Sequence, residues 1–461
     1  MTINKITTLE LFFLYTSTFL LRVGFEASLI LFDWMLVWGI EHSYGHENAS
    51  SFSAILLTAF AGITFLVAEV MFTGYYGNRS DSVGAKPVIL FATLGAAFAL
   101  LMYTPSPFFY SYFSTHRMSA ILLMVFYLAT IHFVHGVVAA ANVAPALGLV
   151  NHLSTSENRS LHMAWYDNAI FYGRAVGMTM GGLLWVSMGV DEKGLTLAEQ
   201  AIQIAKTFPV LFVILLVDTL IVYFGLRDPQ KITPPKPFSL KKDITIAFKV
   251  MLEPTRRKLL IPWLAIAALI GSASLWGPSI AFRASVDAGE KRGLDALLPI
   301  TVVMIALALP APLWGWYADH IGHKRILQLG ILGLPSIGIG LLLGYPFFKG
   351  HASISNPILL LSIMPGLMLM SALAPVLMSK LGDTAKKDVH EDGHVMSGYH
   401  FTIASGEIMG ILAGGIVIGL FAILHEIGLI SNISTALVSG FLFFEVAMIV
   451  VAFVGIFRLP E

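Results

Sequence analysis

Two stretches of this chain, more than two hundred residues apart, spell the same pattern: Gly77-Asn-Arg-Ser-Asp81-Ser-Val-Gly84-Ala-Lys86 and Gly315-Trp-Tyr-Ala-Asp319-His-Ile-Gly322-His-Lys324. Both read G-x-x-x-D-x-x-G-x-K, and each stands between two apolar segments. Glycine lets a helix end and the backbone turn at little steric cost, and aspartate suits the cap of the helix that follows. A single match is an ordinary surface turn. Two in register make the chain a duplication, so its two halves must fold alike.

What the halves fold in follows from composition. Of 461 residues 56% are hydrophobic and 12% charged, with mean hydropathy +0.79. A soluble chain carries about twice that charged fraction. Apolar runs recur at the roughly 20 residues a bilayer-spanning helix needs. They are Leu11–Leu36, Phe52–Phe72, Pro87–Met102, Ala120–Ala141, Leu161–Val186 and Phe208–Phe224 in the first half. The second half has Leu259–Phe282, Leu297–Trp316, Ile326–Leu343, Ile358–Met378, Val395–Ile423 and Ala436–Phe457. The expectation is an all-α membrane protein with twelve transmembrane helices in two pseudo-symmetric six-helix bundles, residues 1–226 and 259–461, joined by a connector at 227–258. The first run is too long for a cleaved signal peptide and no cleavage site follows it.

An even number of spans puts both termini on one side. With the termini inside, that side holds about 19 Lys and Arg and the other about 7, which places the termini and connector in the cytoplasm. The membrane expected is the plasma membrane, or the inner membrane of a Gram-negative cell. Each lysine of the repeated motif then sits at the membrane face. Within the connector, Ile244, Phe248 and Met251 recur at helical spacing beside Lys241, Lys242 and Lys249. An amphipathic helix on the anionic inner surface is expected, with a flexible tether as the alternative. The balance of 28 basic and 28 acidic residues gives no pull toward nucleic acid, and the absence of cysteine excludes disulfides, thiolate metal sites and cysteine nucleophiles.

A second repeat reinforces the first. Segment five carries Gly173, Gly177, Gly181 and Gly182, and segment eleven carries Gly406, Gly410, Gly414 and Gly415. Glycines four apart make a flat stripe that admits a neighbouring backbone. Aligning the stripes sets Tyr166 opposite Tyr399, Asp167 opposite His400 and Arg174 opposite Glu407.

On these residues the chain resembles the major facilitator superfamily of transporters over essentially its full length. The repeated loop resembles that family's signature, with Ser82 and His320 where Arg or Lys is usual. The stripe of segment five resembles a motif of its proton-driven antiporters, with Met178 and Ile411 where proline is usual. His132-Phe-Val-His135-Gly136 resembles a third motif, whose first residue is normally Arg. The resemblance implies a central cavity lined by helices one, four, seven and ten and flanked by two, five, eight and eleven.

Charges at bilayer depth are costly and mark candidate sites. Arg22, Glu26 and Asp33 share roughly one face of segment one, and Arg174 and Glu407 fall midway along segments five and eleven. Three readings are open: an arginine binds a substrate carboxylate or phosphate, Glu26 or Glu407 carries a coupled proton, or the charges neutralise one another, Arg22 with Glu26 and Arg174 with Glu407. Tyr166, Asp167 and Tyr172, faced by Tyr399 and His400, are further candidates for substrate or ion contact, as are His132 and His135. Glu69 is assigned to the gate, with Gly77, Asp81, Gly84, Lys86, Gly315, Asp319, Gly322 and Lys324. Asp81 and Asp319 are expected to bond helix ends across the inner face. The tract from Asp383 to His394 reads as solvated charge. Kinks are expected at Trp276-Gly277-Pro278 and at Pro365-Gly366 and Pro375.

No phosphate-binding loop is present, so ATP is not the fuel. The reading is a secondary active transporter without cofactor or metal, monomeric, moving a small solute and coupled to protons. Efflux is favoured by the glycine stripe and the acidic residues of segment one. Import or exchange of an organic anion is favoured by the two arginines. An intramembrane enzyme lacks a nucleophile and base, and a transport-dead sensor or scaffold would carry an added soluble domain.

Overall fold

The structure, a computed structural model, describes residues 5–44, 52–112, 117–190, 194–227, 239–287, 294–348, 357–385, 392–430 and 433–459. All regular structure among them is helical. The first half comprises α1 (Lys5–Tyr44), α2 (Phe52–Val83), α3 (Ala85–Tyr103), α4 (Arg117–Leu153), α5 (Arg159–Ser187) and α6 (Thr207–Gly225). The second comprises α7 (Pro254–Asp287), α8 (Leu294–Ala308 and Ala311–Ile321), α9 (His323–Ile331 and Gly333–Phe348), α10 (Pro357–Met370 and Leu373–Gly382), α11 (Asp392–Glu426) and α12 (Ile433–Phe457). These are the twelve expected spans. Among the described residues, eight stretches are long and apolar enough to cross a bilayer, Leu122–Leu153 and Leu197–Gly225 among them. The side chains they turn outward suit lipid: Phe224 is 79% exposed, Phe126 69% and Leu361 68%.

Three spans of the second half are interrupted. Pro310 cannot donate a backbone hydrogen bond and parts the two pieces of α8. The pieces of α9 meet at Leu332, and those of α10 at Ser371–Ala372, six residues beyond Pro365. Trp276, Gly277 and Pro278 have side chains outside those described.

Packing within each half runs along the glycine stripes. A Cβ at Gly173, Gly177 or Gly181 would lie 2.6–2.7 Å from the carbonyl oxygens of Phe19, Val23 and Ala27, so α5 lies backbone to backbone on α1. In the second half, a Cβ at Gly406 would lie 2.7 Å from the carbonyl oxygen of Leu264, and Gly410 presses closer still on that of Ala268, so α11 lies on α7. In lipid no hydrophobic drive separates one apolar surface from another, and such close approach is what makes helices cohere.

The end of the bundle that carries Asp81 and Asp319 is called the motif face below. Both ends of the described chain lie there: Glu10 of α1 accepts a hydrogen bond from the Arg227 amide at 3.2 Å, and Leu459 shares an apolar cluster with Leu11 and Leu226. That cluster spans both halves, joining Val150 and Met163 to Leu377, Val395 and Met396. A second cluster, built around Leu21, Phe32, Tyr103 and Phe208, belongs to the first half alone.

The connector forms a helix, Leu240–Leu252. Its apolar face turns largely to protein, with Phe248 and Leu252 still 45% and 46% exposed. Ala247, Val250 and Met251 are buried, Val250 sits on Gly398 of α11, and Phe248 meets Phe401 ring edge to ring face at 6.3 Å. The Asp243 carbonyl presses on Gly74 of α2, which has no side chain to obstruct it. The helix therefore straddles the two halves, held by contacts to α2 on one side and α11 on the other.

Candidate functional site

Each loop motif makes its turn at a glycine in the left-handed region, Gly84 at φ 89° and Gly322 at φ 100°. The aspartates do not cap the helices that follow; those N-termini have no side-chain cap. They reach across to the other half. Asp81 accepts the amide hydrogens of Gly393 and His394, both at 2.8 Å, at the start of α11. Asp319 accepts those of Ser160 and Leu161, both at 3.0 Å, at the start of α5. In each case the second and third residues of the opposing helix are used. The negative charge meets unsatisfied amides at the positive end of a helix dipole. The motif's first glycine permits the approach: a Cβ at Gly77 would lie 2.5 Å from the Gly393 carbonyl oxygen, and one at Gly315 the same distance from that of Ser160.

Further cross-half contacts seal the same face. Arg159, 2% exposed at the start of α5, pairs with Asp383 at the end of α10. The Asn151 amide of α4 donates to Asp392 of α11. His323, beside Gly322, has its Nε2 3.0 Å from Ser160 Oγ and 3.1 Å from Ser379 Oγ, and burial pushes its imidazole below the ordinary histidine range. Asp392, 8% exposed, thus corrects the reading of its tract as solvated charge at that end, while Asp383 pairs with Arg159 and remains 41% exposed; residues 386–391 of the tract lie outside those described. Lys86, the second residue of α3, is 9% exposed, with Nζ 5.4 Å from the ring centre of Tyr223 near the end of α6.

Behind this seal stand the charged groups of the core. Glu26 pairs with Arg174, Oε1 to Nε 2.8 Å, though out of line for a hydrogen bond. This differs from the pairing that the mutual-neutralisation reading offered, Arg22 with Glu26 and Arg174 with Glu407. The glycine stripe explains the choice: with Gly177 against Val23 and Glu26, the α5 backbone is near enough for Arg174 to reach α1. Arg22 has a buried Nε with no hydrogen-bond partner among the described residues, and its guanidinium carbon is 6.0 Å from the Phe25 ring centre. Arg22, Arg174, Glu69 and Glu407 lie within electrostatic reach of one another, and Asp167 within reach of both arginines. Glu407 makes no ion pair among the described residues. The side chain of Asp33 lies outside those described.

Glu69 joins the other half directly. His400 of α11 has Nε2 3.1 Å from Glu69 Oε1 and Nδ1 3.1 Å from Thr73 Oγ1, all three residues being buried. Tyr166 is fully buried, and Tyr399 stacks on Trp263 at 5.7 Å; Tyr172 is half-buried. His132 and His135 stand inside the first half, against the rings of Phe32 and Phe25, each at 4.1 Å. Asp218 faces the Ser17 side chain of α1, and Glu445 that of Ser272 on α7. No group of three or more His, Cys, Asp or Glu fit to hold a metal occurs among the described residues.

Sequence reasoning missed Asn151, Arg159, Ser160, His323, Asp383 and Asp392. Their one signal was position, since each flanks a span end on the side of the repeated motif.

Two six-helix halves, charges buried where they meet, and one end sealed by paired helix caps define a membrane transporter. The Major Facilitator Superfamily model matches residues 14–411, and the chain belongs to that superfamily. Solved structures share the fold. The human organic anion transporter MFSD10 (TETRAN) is similar at TM-score 0.67 and 17% identity, covering 98% of this chain and 99% of that one. The proton:xylose symporter XylE is similar at 0.64 and 13%, covering 100% and 97%. A bacterial homologue of the iron transporter ferroportin in its outward-facing state is similar at 0.61 and 12%, covering 97% and 98%. No curated protein matches the sequence. The protein is a transporter and not an enzyme.

Proposed function

We propose that this transporter carries a small organic anion together with a proton. Arg22 carries the reading. It is a mid-depth guanidinium with a buried donor that no described residue fills, and such a fork suits a carboxylate, phosphate or sulfonate. Arg174 is held by Glu26. An anion arriving between the two arginines competes with Glu26 for Arg174, and the added negative charge favours uptake of a proton in the core, because a second uncompensated anion in a low-dielectric path is costly. Cargo and proton then bind together and travel the same way. The excess of Lys and Arg on the motif face supports a cytoplasmic position for it, so the sealed face is the inner one.

A second reading, expulsion of a cationic solute in exchange for protons, is favoured by Glu407, which makes no ion pair among the described residues, and by the antiporter-like stripe of α5.

The test is a thermal-shift screen of purified protein against carboxylates, phosphates, sulfonates and amines. Hits are then followed in proteoliposomes under an imposed proton gradient. Anions should stabilise the protein, lose that effect in Arg22→Ala, and accumulate toward the alkaline side with acidification of that compartment. Stabilisation by amines alone, moving against protons, would overturn the anion reading and favour the second.

A further inference from the structure

One face of α2 is read off every fourth residue: Glu69, Thr73, Gly77 and Asp81. All four meet α11. Asp81 caps its first turn, Gly77 accommodates Gly393 and Ser397, and Thr73 and Glu69 take the two ring nitrogens of His400. The polar pair at the deep end of this seam is not needed to hold the halves together. In the second copy of the repeat the positions equivalent to Glu69 and Thr73 are Leu307 and Ala311, and Asp167 stands where His400 does. The α5–α8 seam closes there without a histidine–carboxylate link. An asymmetry between two seams built on the same glycine and aspartate marks the pair as having a task beyond packing.

We infer that Glu69, Thr73 and His400 form the binding site of the coupled proton, and that loading it seals the motif face. The inference rests on the proton-coupled reading above, but places the proton at the seam between the halves and not at Glu26. With a neutral ring, Nε2–H donates to the Glu69 carboxylate and Nδ1 accepts from the Thr73 hydroxyl, leaving one net negative charge between the halves. A proton added at Nδ1 makes the ring a cation, turns Thr73 into an acceptor, and leaves the pair neutral overall. Its bond to Glu69 becomes charge-assisted at both ends, about twice as strong as a neutral one. The Glu26–Arg174 pair cannot serve in this way, because both partners belong to the same half, locked by the stripe. Glu69 and His400 belong to opposite halves, so opening the motif face must separate them and return the ring to water. Proton binding and closure therefore favour each other, and by reciprocity each reports on the other.

Three other titratable groups lie within electrostatic reach of Glu69: Arg22 on α1, Arg174 on α5 and Glu407 on α11. Behind them stand Glu26, paired with Arg174, Asp167, within reach of both arginines, and His132 and His135 of α4, whose rings meet Phe65 one turn before Glu69. Asp81 lies farther along α2, and Asp243 on the connector helix. His323 on the other seam acts in the opposite sense, since burial disfavours its charged form and acid loosens its contacts.

The chain has no cysteine, so spin labels at Glu157→Cys and Arg325→Cys, exposed positions on opposite halves at the motif face, report its opening in the full-length protein. Distances are measured from about pH 8 to about pH 5.5, either side of the ordinary imidazole range. In an otherwise native protein the closed-to-open ratio should rise on acidification, about ten-fold for each unit by which closure strengthens proton binding. His400→Gln keeps a side-chain amide at the seam but cannot titrate, and should remove that rise. Glu69→Gln keeps an acceptor without the charge, and should weaken the response. Should His400→Gln fail to fold, Glu69→Gln decides. A native pH response surviving in the variant that folds overturns the inference. Because the measurement reads conformation without cargo, a transport assay showing no proton coupling would reject the proposed function while leaving this result standing.

Discussion

Replacing Asp81 with alanine should open the motif face without unfolding the protein. Two backbone amides, each bonded at 2.8 Å, lose a charged acceptor at the start of α11. A hydrogen bond to a charged group contributes about 1.5–3 kcal/mol, and loss of a helix cap costs about 0.5–2 kcal/mol. In the open state water reaches both amides and recovers part of this, leaving about 2 kcal/mol in favour of closure. That corresponds to a shift of about 30-fold in the open-to-closed ratio. Asp319→Ala should act in the same direction and slightly less, its bonds being longer at 3.0 Å. The assay is alkylation of Ser397→Cys, a fully buried position beside Gly77 that only opening exposes. Its rate should rise by the same factor until chemistry limits it, while Asp81→Asn should give a smaller increase. An unchanged alkylation rate in a folded Asp81→Ala protein would refute the claim that the cap holds the face shut.

Gly77→Ala and Gly315→Ala place a Cβ 2.5 Å from an opposing carbonyl oxygen, an overpacking of about 1–3 kcal/mol; both should raise Ser397→Cys alkylation several-fold. For Arg159 and Asp383, the aspartate is 41% exposed, which screens the pair to about 1 kcal/mol; Asp383→Asn should open the face by about that much, and a double-mutant cycle with Arg159→Met should return the coupling. His323 has its affinity for protons lowered by burial, so its seam contacts are complete above about pH 6.5 and weaken as pH falls through the depressed value; His323→Asn should flatten that acid limb in the distance measurement. A cysteine at Lys242 should resist an impermeant reagent in intact cells and react in inverted vesicles, and labelling in intact cells would reverse the topology.

The halves, their spans and the glycine stripes were legible because each is a local pattern repeated at an even spacing. So was a bond from each motif aspartate to helix ends across the face, since a carboxylate on a tight turn has few other partners in lipid. Partner choice was not legible. Whether Arg174 meets Glu26 or Glu407 depends on how far α5 rotates over α1, which is set by side-chain contacts along the whole stripe. Asp392 looked like solvated charge because a loop rich in Lys, Asp and Glu has the same composition whether or not one end of it is buried. The connector's apolar face was visible as a helical period, but a period cannot say whether lipid or protein will cover it.

The pairing of Glu26 with Arg174 also bears on how the chain enters the membrane. Segments emerge from the ribosome in order, and the first half is complete before the second exists. An arginine left alone in hydrocarbon at that stage would resist insertion. Arg174 instead finds its counter-ion one hundred and forty-eight residues upstream, on a helix already in place. The first half can settle with this pair already made, and Glu407, arriving later, is free of any part in it.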